Sequence, residues 1–289
     1  MIDLHSHTNE SDGTFTPLEL VDLAAERGLE ALAISDHDTF AGFDQALPVA
    51  RSRGLDLVCG IELSTRVPGT AREPGKKVRT VHLLGYFLHQ PPSEDFRQWL
   101  GELIAGRRDR NLRLIASLHD QGIDIELEEV EKLGRTLTGR PHFARLLIQK
   151  GYVSSFDEAF RRYLGELAPT YVERFAPFVA VAIQRVIDAG GLPVLAHPIR
   201  LGFRDTNAEE KFIGELRDAG LRGIEVFHSD HRPADMERFA AIARKYNLAV
   251  SGGSDFHGEV KPQISLGTGY NGNLNIPKTV LEGLRAIQG

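Results

Sequence analysis

Ile2-Asp3-Leu4-His5-Ser6-His7 is a short run that reads as a strand and ends on two histidines two residues apart. On a strand, that spacing puts both imidazoles on one face. The arrangement recurs far downstream, where Leu248 to Gly253 reads as a strand and Ser254-Asp255-Phe256-His257 follows it. Between these two points, further metal-capable side chains close strand-like segments. Asp12 comes soon after the first pair and His37 stands in Ser35-Asp36-His37-Asp38. Glu62 follows in Gly60-Ile61-Glu62, His82 in Val81-His82-Leu83, and His197 in Leu195-Ala196-His197-Pro198. Nine such residues at the downstream ends of strand-like segments predict a β/α barrel, which collects its reactive groups at its strand ends.

The rest of the chain supports an α/β reading. Seven segments have strand character: Met1 to His7, Leu29 to Ser35, Leu55 to Leu63, Val78 to Phe87, Leu192 to Ala196, Leu221 to Phe227 and Leu248 to Gly253. Amphipathic helices alternate with them. Thr16-Pro17-Leu18-Glu19 predicts a capping box with proline in the first turn, and Gly28 predicts the stop of that helix. Others are expected near Phe40 to Arg53, Phe178 to Ala189, Ala208 to Ala219, Pro233 to Tyr246 and Pro277 to Ala286. Alternation of this kind implies a mainly parallel sheet with helices outside. From Ser93 to Phe175 the rhythm breaks into helices alone: Glu94 to Leu118, Ile125 to Leu133, His142 to Lys150 and Phe156 to Leu164. The expected organisation is a barrel from residues 1–92 and 176–289, with a helical cap, residues 93–175, inserted between the fourth and fifth strands. Such an insertion lies over the active site. Pro68 to Lys77 reads as a polar, mobile loop.

Composition narrows the function classes. The chain has 289 residues, 42% hydrophobic and 26% charged, which is ordinary for a soluble globular protein. No apolar run nears the roughly 20 residues that cross a bilayer, and Met1 runs into the first motif without a signal peptide. A single cysteine, Cys59, permits no intrachain disulfide and fits a reducing cytoplasm. A formal net charge of −6 argues against a general nucleic-acid coat protein. It leaves an anionic substrate open, because bound divalent cations invert the local sign.

Imidazoles and carboxylates without thiolates suit zinc, manganese or iron in a catalytic rather than a structural site. A lone histidine such as His82, His89 or His119 is more often a hydrogen-bonded core residue than a ligand. The ordered set of nine is what points to metal. Asp36 and Asp38 are expected to orient ligands. Clustered ions about 3.5–4 Å apart can lower the pKa of a shared water towards neutrality. They also draw charge from a phosphoryl group as it builds up. The expected nucleophile is therefore a metal-bound hydroxide held by the nine side chains, with no serine, cysteine or aspartate attack. His228 could assist proton transfer or contact phosphate, while His231 reads as a surface residue.

The cap supplies candidates for substrate recognition. Arg135, Thr136, Thr138, Gly139, Arg140 and His142 form a run that combines two arginines, two hydroxyls and a glycine just before a helix. Such a glycine presents backbone N–H groups to an anion, and arginine matches phosphate oxygens bidentately. Arg200, three residues after His197, is placed to reach the same region. These arginines could instead form surface ion pairs, and the threonines could cap helices.

His5-Ser6-His7, Ser11-Asp12-Gly13, Ser35-Asp36-His37-Asp38, His197-Pro198 and Gly253-Ser254-Asp255-Phe256-His257 together resemble the four motifs of the polymerase and histidinol phosphatase (PHP) family. The resemblance implies a distorted seven-stranded (β/α)7 barrel and two or three divalent ions, manganese first, with zinc or iron as alternatives. By position it implies His5, His7, Glu62 and Asp255 for one ion, and Asp12, His37 and His257 for a second. Glu62, His82 and His197 would hold a third, with Glu62 bridging. Some members carry histidine where this chain has Asp12. The capped, polymerase-free form is similar to the 3′,5′-nucleoside bisphosphate phosphatase branch. That implies removal of the 3′-phosphate from a 3′,5′-bisphosphorylated nucleotide, leaving a 5′-monophosphate. A 5′-to-3′ exonuclease on short 5′-phosphorylated RNA, a histidinol phosphate phosphatase and a metal-stabilised regulatory module are the alternatives. The expected partner is a small phosphorylated nucleotide or short RNA, with neither a membrane nor an obligatory protein partner.

Overall fold

A computed structural model of the chain describes residues 1–67, 80–173 and 175–288, with the side chain of residue 288 outside the description. The polar loop expected at Pro68 to Lys77 lies outside the described residues.

Seven strands form one sheet in sequence order: β1 (Ile2–Asp3), β2 (Ala31–Ile34), β3 (Asp56–Arg66), β4 (Thr80–Phe87), β5 (Leu192–Leu195), β6 (Gly223–His228) and β7 (Ala249–Gly253). The sheet curls until its first and last strands meet. Leu4 N–H donates to Gly252 O at 3.1 Å, and beyond the strands Asp255 N–H donates to His5 O at 2.8 Å. Gly253 permits this closure, since a Cβ there would lie 2.3 Å from the His5 backbone nitrogen. The result is the expected nearly closed seven-stranded α/β barrel.

The sheet is mainly parallel, as expected, except that β4 runs antiparallel to both β3 and β5. The expected place of His82 needs correction. With β4 reversed, His82 sits near the upstream end of the strand, not its downstream end, and still reaches the rim where the other strands finish.

The helices pack outside as their sequences dictate. In α1 (Pro17–Glu26), Glu19 N–H donates to Thr16 Oγ1 at 3.2 Å and Thr16 N–H to Glu19 Oε2 at 2.8 Å, which completes the expected capping box. Helix α2 (Ala41–Arg53) stops on Gly54, whose φ of 67° is the left-handed value glycine adopts freely. Helices α7 (Val179–Asp188), α8 (Thr206–Asp218) and α9 (Pro233–Tyr246) continue the layer. Val179, Ala182, Ile183 and Val186 form the buried stripe of α7. Leu32, Ile34, Ile61, Leu83 and Ile224 meet these helices in the larger apolar cluster. The alternate rows, including Ile2, Leu4, Val58, Leu84, Tyr86 and Val194, form a second cluster with Leu281 and Leu284 of α10 (Thr279–Gln288). Strand periodicity puts Glu62 and His82 in those same inward rows, two residues from Gly60 and Leu84.

The stretch between β4 and β5 holds α3 (Glu94–His119), α4 (Leu127–Glu131), α5 (Arg140–Gln149), α6 (Phe156–Ala159) and a π-helical turn (Phe160–Leu164). Phe96, Trp99, Leu100 and Leu103 from the first half of α3 join the barrel cluster. Leu114, Ile115 and Leu118 from its second half join a separate cluster with Val130, Phe143, Leu147 and Leu164. The helix expected across Phe156 to Leu164 changes to π geometry at Phe160. A small hairpin, β8 (Ile264–Ser265) with β9 (Gly269–Tyr270), was not anticipated. Among the described residues no helix is long and apolar enough to cross a membrane.

Candidate metal centre and its cavity

Each of the nine residues reaches the rim by a local device. Glu62 and His82 face inward from the β3–β4 pair, where Ser64 is the register partner of His82. Asp36 accepts from Thr8 N–H at 2.8 Å, Thr8 Oγ1 at 2.6 Å and Ser11 Oγ at 2.5 Å, so it fixes the loop that carries Asp12. His197 and Asp255 have positive φ, 25° and 57°, which turns their side chains off the normal strand alternation. Non-glycine residues adopt such angles at a cost of about 1–3 kcal/mol and persist where their surroundings over-determine them.

The nine converge on three carboxylates. Glu62 is contacted by five histidines: His82 and His197 at 2.8 Å, His7 at 3.1 Å, and His5 and His37 at 3.3 Å. Asp12 lies 3.3 Å from His257, 3.6 Å from His37 and 3.7 Å from His7. Asp255 lies 3.3 Å from His7 and 3.5 Å from both His5 and His257. Burial pushes the Glu62 carboxyl upward, but the surrounding imidazoles, His37 and His82 foremost, overcome it and hold Glu62 well below the usual carboxylate range. Burial likewise pulls His7 down, yet the Asp255 and Glu62 carboxylates raise it to about 9. His37 goes the other way, held at about 4 by burial that Glu62 and Asp12 only partly offset.

The donor set fits divalent cations. His5 Nε2, both ring nitrogens of His7 and His37 Nδ1 are buried and make no hydrogen bond. Buried polar atoms without partners are rare and call for an explanation such as an ion. Ligand atoms of His5, His7, Glu62 and Asp255 lie within 4.8 Å of one another, as do those of His7, Asp12, His37 and His257, and those of His37, Glu62 and His82. These sets overlap the groupings that the resemblance implies. His197 falls outside the third set and touches it through Glu62. A cation bound here would displace the proton that these carboxylates hold on His7.

Several neighbours were not anticipated. Glu225, a charged residue in the otherwise apolar stretch Ile224 to Phe227, is fully buried and bonds His5 Nδ1 at 2.9 Å and His197 N–H at 2.7 Å. A carboxylate on the far nitrogen of a ligating imidazole fixes its orientation. Its position mid-strand among apolar residues was the signal available in sequence. Lys261 Nζ lies 2.7 Å from Asp255 Oδ2. Arg200 is engaged in ion pairs with Asp230 at 2.7 Å and Asp255 at 2.8 Å, so both cations bear on the same carboxylate. His228 is fully buried, its Nε2 3.8 Å from Asp255 Oδ2 and without a hydrogen bond. His231 is not on the surface. It is 2% exposed, bonds Val226 O at 2.8 Å and lies against Phe239 of α9, because the turn after β6 folds under that helix. His89 and His119 stay away from the centre, bonding Arg285 O and Ile125 O.

A cavity opens from the centre toward the inserted helices. Asp12, His37 and His82 line it together with Arg107, Arg110, Arg140 and His142, and Glu166, Glu173, Phe160 and Tyr171 complete the wall. Arg135 is not in this wall. Its side chain is 58% exposed and lies 3.8 Å from Glu10, since it sits in the turn before α5 rather than on the helix face. The Gly139 N–H is also not free for an anion, because it donates to His142 Nδ1 at 3.0 Å. Thr138 Oγ1 turns to Gly134 O at 3.4 Å. The arginines that do face the cavity are Arg66 at the end of β3, Arg140 of α5, and Arg107 and Arg110 of α3, which share a face at i and i+3. Asp38 supports this arrangement by pairing with Arg107.

Comparisons with known proteins agree with this chemistry. The family model described as PHP domain matches residues 3–168. The chain is 34% identical over 258 residues to a 3′,5′-nucleoside bisphosphate phosphatase of Chromobacterium violaceum, covering 89% of this chain and 87% of that protein. It is 32% identical over 255 residues to a 5′-3′ exoribonuclease of Haemophilus influenzae, covering 88% and 89%. A solved structure from Bifidobacterium adolescentis, assigned as a metal-dependent phosphoesterase, matches with a TM-score of 0.82 at 30% identity, covering 99% of this chain and 96% of that one.

Proposed function

Because the chain belongs to the PHP domain family, we propose that it removes the 3′-phosphate from 3′,5′-bisphosphorylated nucleotides and leaves 5′-monophosphates. It is a phosphoric ester hydrolase of that family. One observation carries the finer reading: a single cavity is lined both by Asp12, His37 and His82 of the metal-capable set and by Arg107, Arg110 and Arg140. A substrate with a phosphate at each end of a nucleoside has a group for both.

His5, His7, Asp12, His37, Glu62, His82, His197, Asp255 and His257 would hold two or three divalent ions, manganese first. When bound, such ions acidify water and offset charge on the phosphoryl oxygens. The chain's own groups do the rest. In the reaction the oxygen of one water bonds to phosphorus and the bond from phosphorus to the nucleoside 3′-oxygen breaks. A proton passes to the departing 3′-oxygen, and His228 Nε2 is the atom assigned to carry it. Glu225 holds the His5 ring and the His197 backbone, so their donor atoms need no reorganisation. The helices between Glu94 and Leu164 act as a cap that excludes bulk water and supplies the cationic wall.

The 5′-3′ exoribonuclease relative supports a second reading, in which the same chemistry releases nucleotides from short RNA. The formal net charge of −6 favours a short substrate over a long polymer. A histidinol phosphate would need an acidic wall for its amine, and a wall in which Arg66, Arg107, Arg110 and Arg140 outnumber Glu166 and Glu173 disfavours it. A phosphate-release screen decides the matter. With manganese present, adenosine 3′,5′-bisphosphate should be turned over faster than short 5′-phosphorylated RNA, simple monophosphates and histidinol phosphate. Faster release of nucleotides from RNA would replace the first reading by the second.

A further inference from the structure

Glu10 joins the loop that carries Asp12 to the inserted helices. Although acidic, it is only 3% exposed. Its Oε2 accepts from Thr136 Oγ1 at 2.5 Å, and its backbone oxygen accepts from Leu137 N–H at 3.0 Å. Both donors belong to the turn before α5. That turn is held on its other side by Asn111 of α3, whose Nδ2 donates to Thr138 O at 3.0 Å. It has little room to adjust, since a Cβ at Gly134 would lie 2.9 Å from Leu137 O. Leu137 itself is buried and lines the cavity.

The barrel side of this junction is just as tight. Ser11 N–H and Gly13 N–H both donate to Thr8 O, at 3.2 and 2.9 Å, and Glu10 N–H donates to Thr8 Oγ1 at 3.2 Å. A Cβ at Gly13 would lie 2.4 Å from His7 O. Displacing Glu10 therefore moves Asp12, two residues on, relative to His7 and His257. Arg107 and Asp38 already fasten α3 to the loop after β2. Glu10 is a separate attachment, and it ends beside the set formed by His7, Asp12, His37 and His257.

We propose that Glu10 is a positioning residue through which the inserted helices complete the Asp12 set. The hydrogen bond from Thr136 to Glu10 sets how tightly that set holds a divalent cation. This assignment rests on the metal reading above and not on which phosphate ester is cleaved. A junction kept for stability alone would alter the melting temperature and leave ion affinity unmoved.

The experiment titrates manganese calorimetrically into protein first stripped with chelator. It compares wild type, Thr136→Val, Thr136→Ser, Glu10→Ala and Asp12→Asn. The binding step lost in Asp12→Asn marks the ion that belongs to the Asp12 set. In Thr136→Val and Glu10→Ala that step should weaken about 10–100-fold, the range for groups that orient ligands. The steps that Asp12→Asn retains should keep wild-type affinity in both. Thr136→Ser, which keeps the hydroxyl, should bind as wild type does. In a phosphate-release assay, saturating manganese should return most of kcat to Thr136→Val. Unchanged affinity in Thr136→Val, equal weakening of every step, no recovery in Thr136→Ser, or failure of Thr136→Val to fold overturns the proposal. Thr136→Val leaves the backbone contact between Leu137 and Glu10 in place, so it decides even where Glu10→Ala does not fold. No manganese uptake by wild type, or no step lost in Asp12→Asn, brings down the metal reading and this proposal together. Stepwise uptake that is the same in wild type and Thr136→Val brings down this proposal alone.

Discussion

Arg107 in the middle of α3 and Asp38 in the loop after β2 form a buried ion pair, with Arg107 Nε 3.0 Å from Asp38 Oδ2. Asp38 is held there by Ser64 N–H, which donates to its other oxygen at 3.0 Å, while its own N–H bonds Glu62 O at 3.1 Å. The inserted helices are thus fastened to the backbone of the residue that gathers five histidines. Removing one member of a buried pair strands the other charge and costs about 3–5 kcal/mol. Arg107→Met should lower unfolding stability by that order, and Arg107→Met combined with Asp38→Leu should recover much of the loss. Additive losses in the double variant would show that the two residues are not coupled.

Glu62 stands at the centre of the cluster, so Glu62→Gln should cut kcat by more than about a hundredfold, beyond what loss of an outer partner causes. Metal content measured on the purified variant should fall with it. Chelation of wild type should abolish turnover and manganese should restore it. Undiminished turnover in excess chelator would refute metal dependence.

Glu225 touches His5 and the His197 backbone but belongs to the outer support of the centre. Glu225→Gln should weaken metal affinity about 10–100-fold while saturating metal recovers most of kcat. An unchanged affinity would mean that the His5 ring is positioned by other contacts.

Arg140 lines the cavity and Arg135 does not, so their substitutions should separate. A charge-assisted contact is worth about 1.5–3 kcal/mol, hence Arg140→Ala should raise KM for a bisphosphate roughly 10–100-fold and leave a simple aryl phosphate little changed. Arg135→Ala should alter neither by more than about twofold. The reverse pattern would return the second-phosphate role to Arg135.

His142 gives a pH test on a residue outside the nine metal-capable side chains, with Asp12 the nearest of them to bear on it. Burial holds its pKa down to about 4 in the folded protein, against about 6.5 when unfolded. The unfolded chain therefore takes up a proton first. Stability is fully present above about pH 6.5 and is lost as pH falls toward 4, by up to roughly 3 kcal/mol. His142→Asn keeps an acceptor for the Gly139 N–H but cannot titrate. In metal-free protein the stability difference between wild type and this variant should be constant above pH 6.5 and should shift against wild type below it. Parallel pH profiles would show that His142 contributes no such linkage.

The centre was largely legible because its residues obey local rules. Histidine pairs two apart, such as His5 with His7, and acids at strand ends are patterns of one strand at a time. What escaped depends on contacts between distant segments. The antiparallel sense of β4 shows only in its pairing with β3 and β5, and His82 looks the same in either direction. Glu225 carries its meaning only once β6 lies beside His5. Arg110 stands in an arginine-rich stretch and Arg135 in a polar turn, and neither sequence shows which one faces the cavity. Only the packing of α3 along the cavity turns one inward and leaves the other beside Glu10. His231 was misplaced for the same reason, since its burial comes from α9 and not from its own turn.

Closure of the barrel between β1 and β7 makes the centre a late event in the life of each molecule. His5 and His7 precede Asp255 and His257 in the chain, and the latter two must be added before the donor sets are complete. A nascent or prematurely terminated chain lacking β7 can hold most of its helices and still have no working centre. The hydrolytic power of this protein is thereby withheld during synthesis, until the two ends of its sheet have found each other.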